Sequence, residues 1–139
     1  MMRQRHRTIR LETGPRQALE LTPEIRDWLD QIEAEEGLLS LFIRHTSASL
    51  TIMENADPDV MRDLTDFLAR LAPEEAGYAH DTEGPDDMPA HLKTALTQTH
   101  LSIPVIGGRL GLGTWQGIWL LEHRAMAHQR SVILHFIGE

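Results

Sequence analysis

Gln116-Gly117-Ile118-Trp119-Leu120-Leu121-Glu122 is the stretch whose reading decides the fold. Four consecutive residues of it are apolar or aromatic, and it is too short for a typical helix, so it reads as a strand. Side chains on a strand alternate between faces, which puts Gln116, Ile118, Leu120 and Glu122 on the same side. A carboxylate on an otherwise apolar face is costly unless it is paired, protonated or bound to something, so Glu122 points to chemistry.

Outward from that strand, other segments fall into short elements. Thr8 to Glu12 alternates as a strand, Gly14-Pro15 turns, and Gln17 to Leu21 reads as the returning strand. Thr22 is the expected N-cap of a helix with Pro23 in its first turn, Ile25, Trp28, Leu29 and Ile32 on its apolar face, and Gly37 as its stop. Leu38 to Arg44 is a nearly continuous apolar run, the pattern of a strand buried on both faces. A polar turn or bulge, His45 to Ser49, leads to a strand Leu50 to Glu54, where Glu54 is a second carboxylate on an apolar face.

Pro58 opens a helix with Val60, Met61, Leu64, Phe67, Leu68 and Leu71 spaced three or four apart. An acidic loop of roughly fifteen residues follows, from Pro73 to Asp87, and loops that long in compact domains are usually functional. Asp87 to Thr97 reads as a helix, Ser102 to Ile106 as a strand, Gly107-Gly108 as a turn, and Ser131 to Ile137 as a closing strand. Strands and about three helices occur without regular βαβ alternation. The expected architecture is therefore α+β, one domain over 1–139, with a mixed or antiparallel, sandwich-like sheet.

Composition narrows the function. With 139 residues and 41% hydrophobic residues, the chain can bury a core. A formal charge of −8 argues against nucleic acid as a partner. The basic residues Arg3, Arg5, Arg7 and Arg10 read as a solvated edge strand. The absence of cysteine excludes disulfides, thiolate metal sites and cysteine nucleophiles. No segment approaches the roughly 20 apolar residues of a membrane span, and no leader pattern opens the chain, so a cytoplasmic location is expected.

Eight histidines remain to be placed. His6, His100, His128 and His135 read as ordinary hydrogen-bonded side chains. His45 ends an apolar strand, His80 and Asp81 sit in the acidic loop before Glu83, His91 lies one turn inside the next helix, and His123 adjoins Glu122. Imidazoles with carboxylates make a competent site for Mg²⁺ or Zn²⁺, with His80, His91, Asp81 and Glu83 as ligands, and the same imidazoles can act as acids and bases near neutral pH. Asp87 either caps its helix or holds Mg²⁺ against a diphosphate. Thr46, Ser47 and Ser49 offer hydroxyls to a phosphate or tie up a turn. Trp115 can stack on a flat ring or pack in a core or interface. No dinucleotide fingerprint is present, and no organic cofactor is expected.

Three stretches taken together resemble the signatures of the YjbQ-like family. They are His45-Thr46-Ser47-Ala48-Ser49-Leu50-Thr51 with Glu54-Asn55 and Asp57-Pro58; His80-Asp81 with Glu83 to Lys93; and Gly108-Arg109-Leu110 with Gly113 to Trp119 and Glu122-His123-Arg124. The Asp86-Asp87-Met88-Pro89 form belongs to one branch, and Ala127-His128 stands where many members have two glycines. The resemblance implies an α+β fold with a mixed sheet, a homotrimer, and a pocket near subunit boundaries. It also implies a secondary thiamine-phosphate synthase activity, which joins hydroxymethylpyrimidine diphosphate to thiazole phosphate and releases pyrophosphate.

For that reaction, His45, His80, His91 and Glu122 are the expected catalytic groups. Thr46, Ser47, Glu54, Lys93, Trp115, Gln116 and Arg124 would bind substrate: Lys93 and Arg124 at phosphate, Glu122 or Glu54 at the aminopyrimidine, Trp115 against a ring. Two other readings stand beside it, a metal-dependent hydrolase of a small phosphorylated metabolite and a non-catalytic module that binds one.

Overall fold

A computed structural model describes residues 1–139. In chain order the elements are β1 (Arg3–Thr13), β2 (Ala18–Glu20), α1 (Thr22–Gln31), β3 (Gly37–Ile43), β4 (Ala48–Glu54), α2 (Pro58–Leu71), α3 (Asp87–Leu96), β5 (His100–Ile106), β6 (Arg109–Leu110), β7 (Gln116–Glu122) and β8 (His128–Gly138). They form a five-stranded sheet, β1-β8-β3-β5-β6, and a three-stranded sheet, β2-β7-β4. Every pairing is antiparallel, so the α+β architecture is as expected and no parallel pair occurs.

The two sheets face each other across one core. Leu39, Leu41, Ile43, Ile103, Val132, Leu134 and Phe136 come from the larger sheet; Leu50, Ile118 and Leu120 come from the smaller one; Ile25, Trp28 and Leu29 of α1 close the side. The strand that decided the fold, β7, is buried at both Leu120 and Leu121. Leu120 faces the larger sheet, while Leu121 lies with Leu64 and Leu68 of α2, so the small sheet is covered on both faces.

Several expectations are corrected. β2 does not return along β1; the chain changes sheets at the turn near Arg16 (φ 47°), and β2 pairs with β7 instead. Thr22 is not the N-cap of α1. That position is Leu21, and the Thr22 hydroxyl accepts the Ile118 N–H at 2.8 Å, so it ties the helix to β7. The helix ends at Gln31 rather than at Gly37, because Glu33 turns left-handed (φ 55°). Gly37 instead opens β3, where an added Cβ would lie 2.3 Å from the Ile137 carbonyl oxygen.

β3 is not buried on both faces. It lies inside the larger sheet, whose outer face nothing covers, so Leu38 and Phe42 are 40% and 50% exposed. β1 is indeed the edge strand and pairs with β8 along its whole length, well beyond the expected start at Thr8. Its first residues, Arg-Gln-Arg-His-Arg, offer no apolar alternation to read. No helix is long and apolar enough to cross a membrane.

Candidate functional site

The N-terminal turn of α3 and the loop before it are held by the end of β7. Arg124, just past β7, donates from Nε to Asp86 Oδ2 (2.8 Å) and from Nη2 to the Glu83 carbonyl (3.1 Å), and its Nη1 lies 3.0 Å from Asp87 Oδ1. The Ala125 N–H donates to the same Asp86 oxygen at 2.8 Å. Asp86 is the N-cap position of α3 but makes no capping bond; its carboxylate faces Arg124, which holds its pKa down to about 2.

Asp87 is the hub of the site. Its side chain is almost fully buried, and Oδ2 sits 2.7 Å from His80 Nε2 and 3.2 Å from His91 Nε2. Burial opposes its charge, but the His80 hydrogen bond and the charges of His91 and Arg124 outweigh that and hold its pKa below the ordinary value. The same hydrogen bond raises the His80 pKa. His91 follows Asp87 by four residues, hence the same face of α3. Its Nδ1 lies 2.8 Å from the Thr46 carbonyl oxygen, an acceptor, so Nδ1 carries a proton. Nε2 then faces a carboxylate either as an N–H or as a lone pair, and the second arrangement needs a cation between them.

His80, Glu83, Asp87 and His91 each bring one ligand atom, and these atoms lie within 4.8 Å of one another. Two imidazoles and two carboxylates form a donor set suited to Zn²⁺ or another divalent ion. The Thr46 carbonyl orients His91 as an outer partner does in metal centres. Of the four ligands expected from sequence, His80, Glu83 and His91 converge. Asp81 is exposed and outside the cluster, and Asp87 takes its place. Asp87, read from sequence as either a helix cap or a Mg²⁺ holder, does not cap α3, and its four-residue spacing to His91 puts both on one helical face.

Two open grooves run from this cluster. One, of about 350 Å³, is lined by His91, Thr46, His45, Thr94, Thr97 and Thr99; the other, of about 440 Å³, continues past His45 and Thr46 to Arg44, Ser47, Phe42 and Arg130. His45 Nε2 accepts the Ser131 N–H at 2.8 Å, and burial followed by the Arg130 charge lowers its pKa, so the ring is neutral and its Nδ1 is the donor left for the groove.

Glu122 lies behind the grooves with no exposed side-chain surface. Oε1 accepts from Thr13 Oγ1 (2.5 Å) and Arg130 Nε (2.8 Å); Oε2 accepts from Arg130 Nη2 (2.5 Å) and the Arg124 N–H (3.0 Å). Burial opposes the charge, while Arg130, then Thr13, pull its pKa down. Arg130 also donates to the Ser47 hydroxyl (3.0 Å) and carbonyl (3.2 Å). Glu122 therefore positions the His45–Ser47 turn and Arg124. Arg130 was not singled out from sequence, although it shares the inward alternation of Val132, Leu134 and Phe136, where an arginine is anomalous.

Other expected residues lie elsewhere. Register pairs Ala48 with Glu122 and Glu54 with Gln116, so Glu54, Gln116 and Trp115 sit at the opposite end of the β4–β7 pair. That is roughly 20 Å away at 3.3–3.4 Å per residue. There Glu54 accepts the Asp57 N–H at α2, Gln116 accepts the Gly113 N–H, and Trp115 is exposed. Lys93 is two residues past His91, about 200° round the helix. It points away from the cluster into a small cavity against α2 and β7. Nearby, His123 is buried, with Nε2 2.8 Å from Ser49 Oγ; burial, then the Lys93 charge, push its pKa down to about 4.

A family model described as "UPF0047 protein YjbQ-like" matches residues 7–139. The chain is 48% identical over 134 residues to the UPF0047 protein YjbQ of Salmonella typhimurium, covering 96% of this chain and 97% of that one. It is 62% identical over 104 residues to a UPF0047 protein of Synechocystis sp., covering 74% and 71%. A yjbq/upf0047 family protein from Clostridium acetobutylicum superposes with a TM-score of 0.85 at 34% identity, over 93% of this chain and 98% of that one. A protein of unknown function from Sulfolobus solfataricus superposes over the whole of both chains with a TM-score of 0.92; at 21% identity, that likeness bears on the fold.

Proposed function

The chain belongs to the YjbQ-like UPF0047 family, and from that premise we propose that it is a thiamine-phosphate synthase-like transferase. It would join hydroxymethylpyrimidine diphosphate to thiazole phosphate and release pyrophosphate. The observation that carries this reading is the His80/Glu83/Asp87/His91 cluster opening directly onto the groove lined by His91, Thr46 and His45. In this reaction the carbon–oxygen bond to the diphosphate breaks, and the thiazole nitrogen forms the new bond to that carbon. Catalysis then rests on holding negative charge at the leaving group and aligning two substrates.

His80, Glu83, Asp87 and His91 would hold a divalent cation, which when bound supplies charge neutralisation for the departing pyrophosphate. The remaining roles fall to protein groups. Thr46 and Thr99 donate hydroxyls to phosphate oxygens, the His45 Nδ1–H donates along the groove, and Arg44 supplies positive charge at its far end. Arg124 spends its bonds on Asp86, Asp87 and Glu83, so it sets the loop rather than reaching for substrate. Trp115, Gln116 and Glu54 would take part only if a neighbouring subunit brings them to the groove. Assembly as a homotrimer would meet that need. The bare outer sheet face, where the apolar rows Ile137, Leu38, Pro104 and Ile133, Phe42 flank a polar row of Ser40, Ser102 and His135, is the surface it would use.

The test is product formation from the two purified precursors with Mg²⁺ or Zn²⁺, comparing wild type with His91→Ala. Metal-dependent product from wild type, lost in the variant, is expected. No product from folded wild type overturns the synthase reading. The donor set then favours a second one. Two imidazoles with two carboxylates suit water activation on a zinc-type ion, so a hydrolase of small phosphate esters would show turnover on a single substrate.

A further inference from the structure

A cavity of about 620 Å³ opens between α1 and the β5–β6 hairpin. That is the size of a site for a small organic molecule, and it is larger than either groove. None of its lining residues belongs to the grooves or to the metal-ligand cluster.

Its walls follow from local structure. Ile106 pairs with Arg109 across Gly107-Gly108, whose φ values of 58° and 76° make the tight left-handed turn that suits twisted strands. The turn is pinned, because the Gly107 N–H donates to Glu36 Oε1 at 2.8 Å and the Gly108 N–H to the Glu35 carbonyl at 2.9 Å. Leu29 of α1 and Leu110 of β6 belong to the hydrophobic core and Leu112 packs against it, so the apolar part of the lining is held in place. The charged part is Arg26 and Asp30 of α1 and Arg109 of β6, all exposed.

Neither arginine makes an ion pair. Arg26 and Asp30 are one helical turn apart, in the order, cation before carboxylate, that pairs less well. Nearby acids are engaged elsewhere: Glu24 with Arg7 and Glu36 with the turn amide. A solvated arginine alone signals nothing. Two of them at one ligand-sized cavity with an apolar lining offer planar donor forks that match an oxyanion.

We propose that this cavity binds a small amphipathic oxyanion, a carboxylate or phosphate ester on an apolar body, with Arg26 and Arg109 at the anionic head and Leu29, Leu110 and Leu112 against the body. Asp30 stands beside the arginines and repels further negative charge, so a single anionic group is accepted and a polyphosphate is disfavoured. The site is independent of the reaction proposed for the grooves.

The experiment titrates the ¹⁵N-labelled whole protein with phenyl phosphate, phenylacetate and inorganic phosphate at constant ionic strength, following amide shifts. Saturable shifts at Gly107, Gly108 and Leu110 are expected with at least one phenyl probe, and the stronger of the two assigns the head group. Shifts at Thr46 and His91 report the groove separately. Inorganic phosphate, which lacks the apolar body, should bind about tenfold more weakly or worse. Arg26→Gln and Arg109→Gln, both at exposed positions, should each weaken the phenyl probe about five- to tenfold, and Asp30→Asn should tighten it. No saturable shift at the three amides with either phenyl probe overturns the site, as does binding that neither arginine substitution weakens. Inorganic phosphate binding as tightly as phenyl phosphate overturns the amphipathic ligand.

Discussion

Asp87 and His91 stand one helical turn apart with Oδ2 and Nε2 3.2 Å from each other, while the far side of the same imidazole is tied to the Thr46 carbonyl. The ring cannot rotate away without losing that bond, so a positive charge is needed between imidazole and carboxylate. A proton or a metal ion meets the need, and the two compete for the position.

Metal binding should therefore stabilise the fold. Added Zn²⁺ is expected to raise Tm saturably, by the equivalent of about 2.7 kcal/mol when free metal reaches a hundredfold over Kd. His91→Ala should abolish the shift while the circular dichroism stays native. A wild-type Tm insensitive to Zn²⁺ and Mg²⁺ would remove the metal centre.

Metal affinity should climb with pH. His80 must lose its proton to act as a ligand, and its pKa is raised above the ordinary 6.5 by Asp87. Affinity thus rises as pH increases through that raised value. In metal-free protein the sign reverses: the His80–Asp87 pair stabilises fully below about 6.5, and that contribution is lost as pH rises through the folded pKa. Isothermal titration of wild type and His80→Gln across pH 5.5–8.5 checks the first trend, and denaturant unfolding without metal checks the second.

Glu122→Gln should destabilise the protein by about 3–5 kcal/mol, because Arg130 is left charged and buried without its counter-ion. Replacing both residues with methionine should recover much of that loss. Urea unfolding of the two single variants and the double variant measures the coupling directly. A cost below about 1 kcal/mol for Glu122→Gln would mean that the pair is not held as described.

Stability should also fall on the acid side of neutrality for a specific reason. His123 has a pKa of about 4 in the fold against 6.5 unfolded, so its protonation favours the unfolded chain. The stability it secures is complete above about 6.5 and drains away down to about pH 4, on the order of 3 kcal/mol in all. His123→Gln should flatten the stability profile in that window, leaving the later loss that Asp86 and Glu122 produce as they protonate.

The outer face of the larger sheet should govern self-association. Phe42→Lys places a charge on the most exposed apolar side chain of β3 on that face and is expected to shift the sedimentation mass toward one chain. If wild type already sediments as a single chain, the trimer and any site shared between subunits fall together.

How far the sequence could be read depended on the range of the contacts involved. α2 was legible because its stripe from Val60 to Leu71 and its Asp57-Pro58 start are local signals, and α3 because Asp87 to Leu96 keeps helical spacing. Three ligands of the cluster were legible for the same reason. The separation of Glu54 and Gln116 from Glu122 was not, since it follows from the β4–β7 register, which no local pattern encodes. Nor was the partner of Glu122, which comes from a different sheet. Lys93 was within reach: counting 100° per residue from His91 sends it to the other side of α3. The bare face of β3 was hidden, because an apolar run reads alike whether its second face is covered by the same chain or by another.

The four converging ligands all come from His80 to His91, a single short stretch of chain. Closing so small a loop costs little entropy, and the three successive spacings a cation would bridge are three, four and four residues, about one helical turn each. A metal ion could thus grip this stretch before the sheets have met, turning it into a seed for α3. Such a seed should speed refolding more than it slows unfolding. It should also blunt the equilibrium gain, because an ion already held by the unfolded chain stabilises the native state by less than its full affinity.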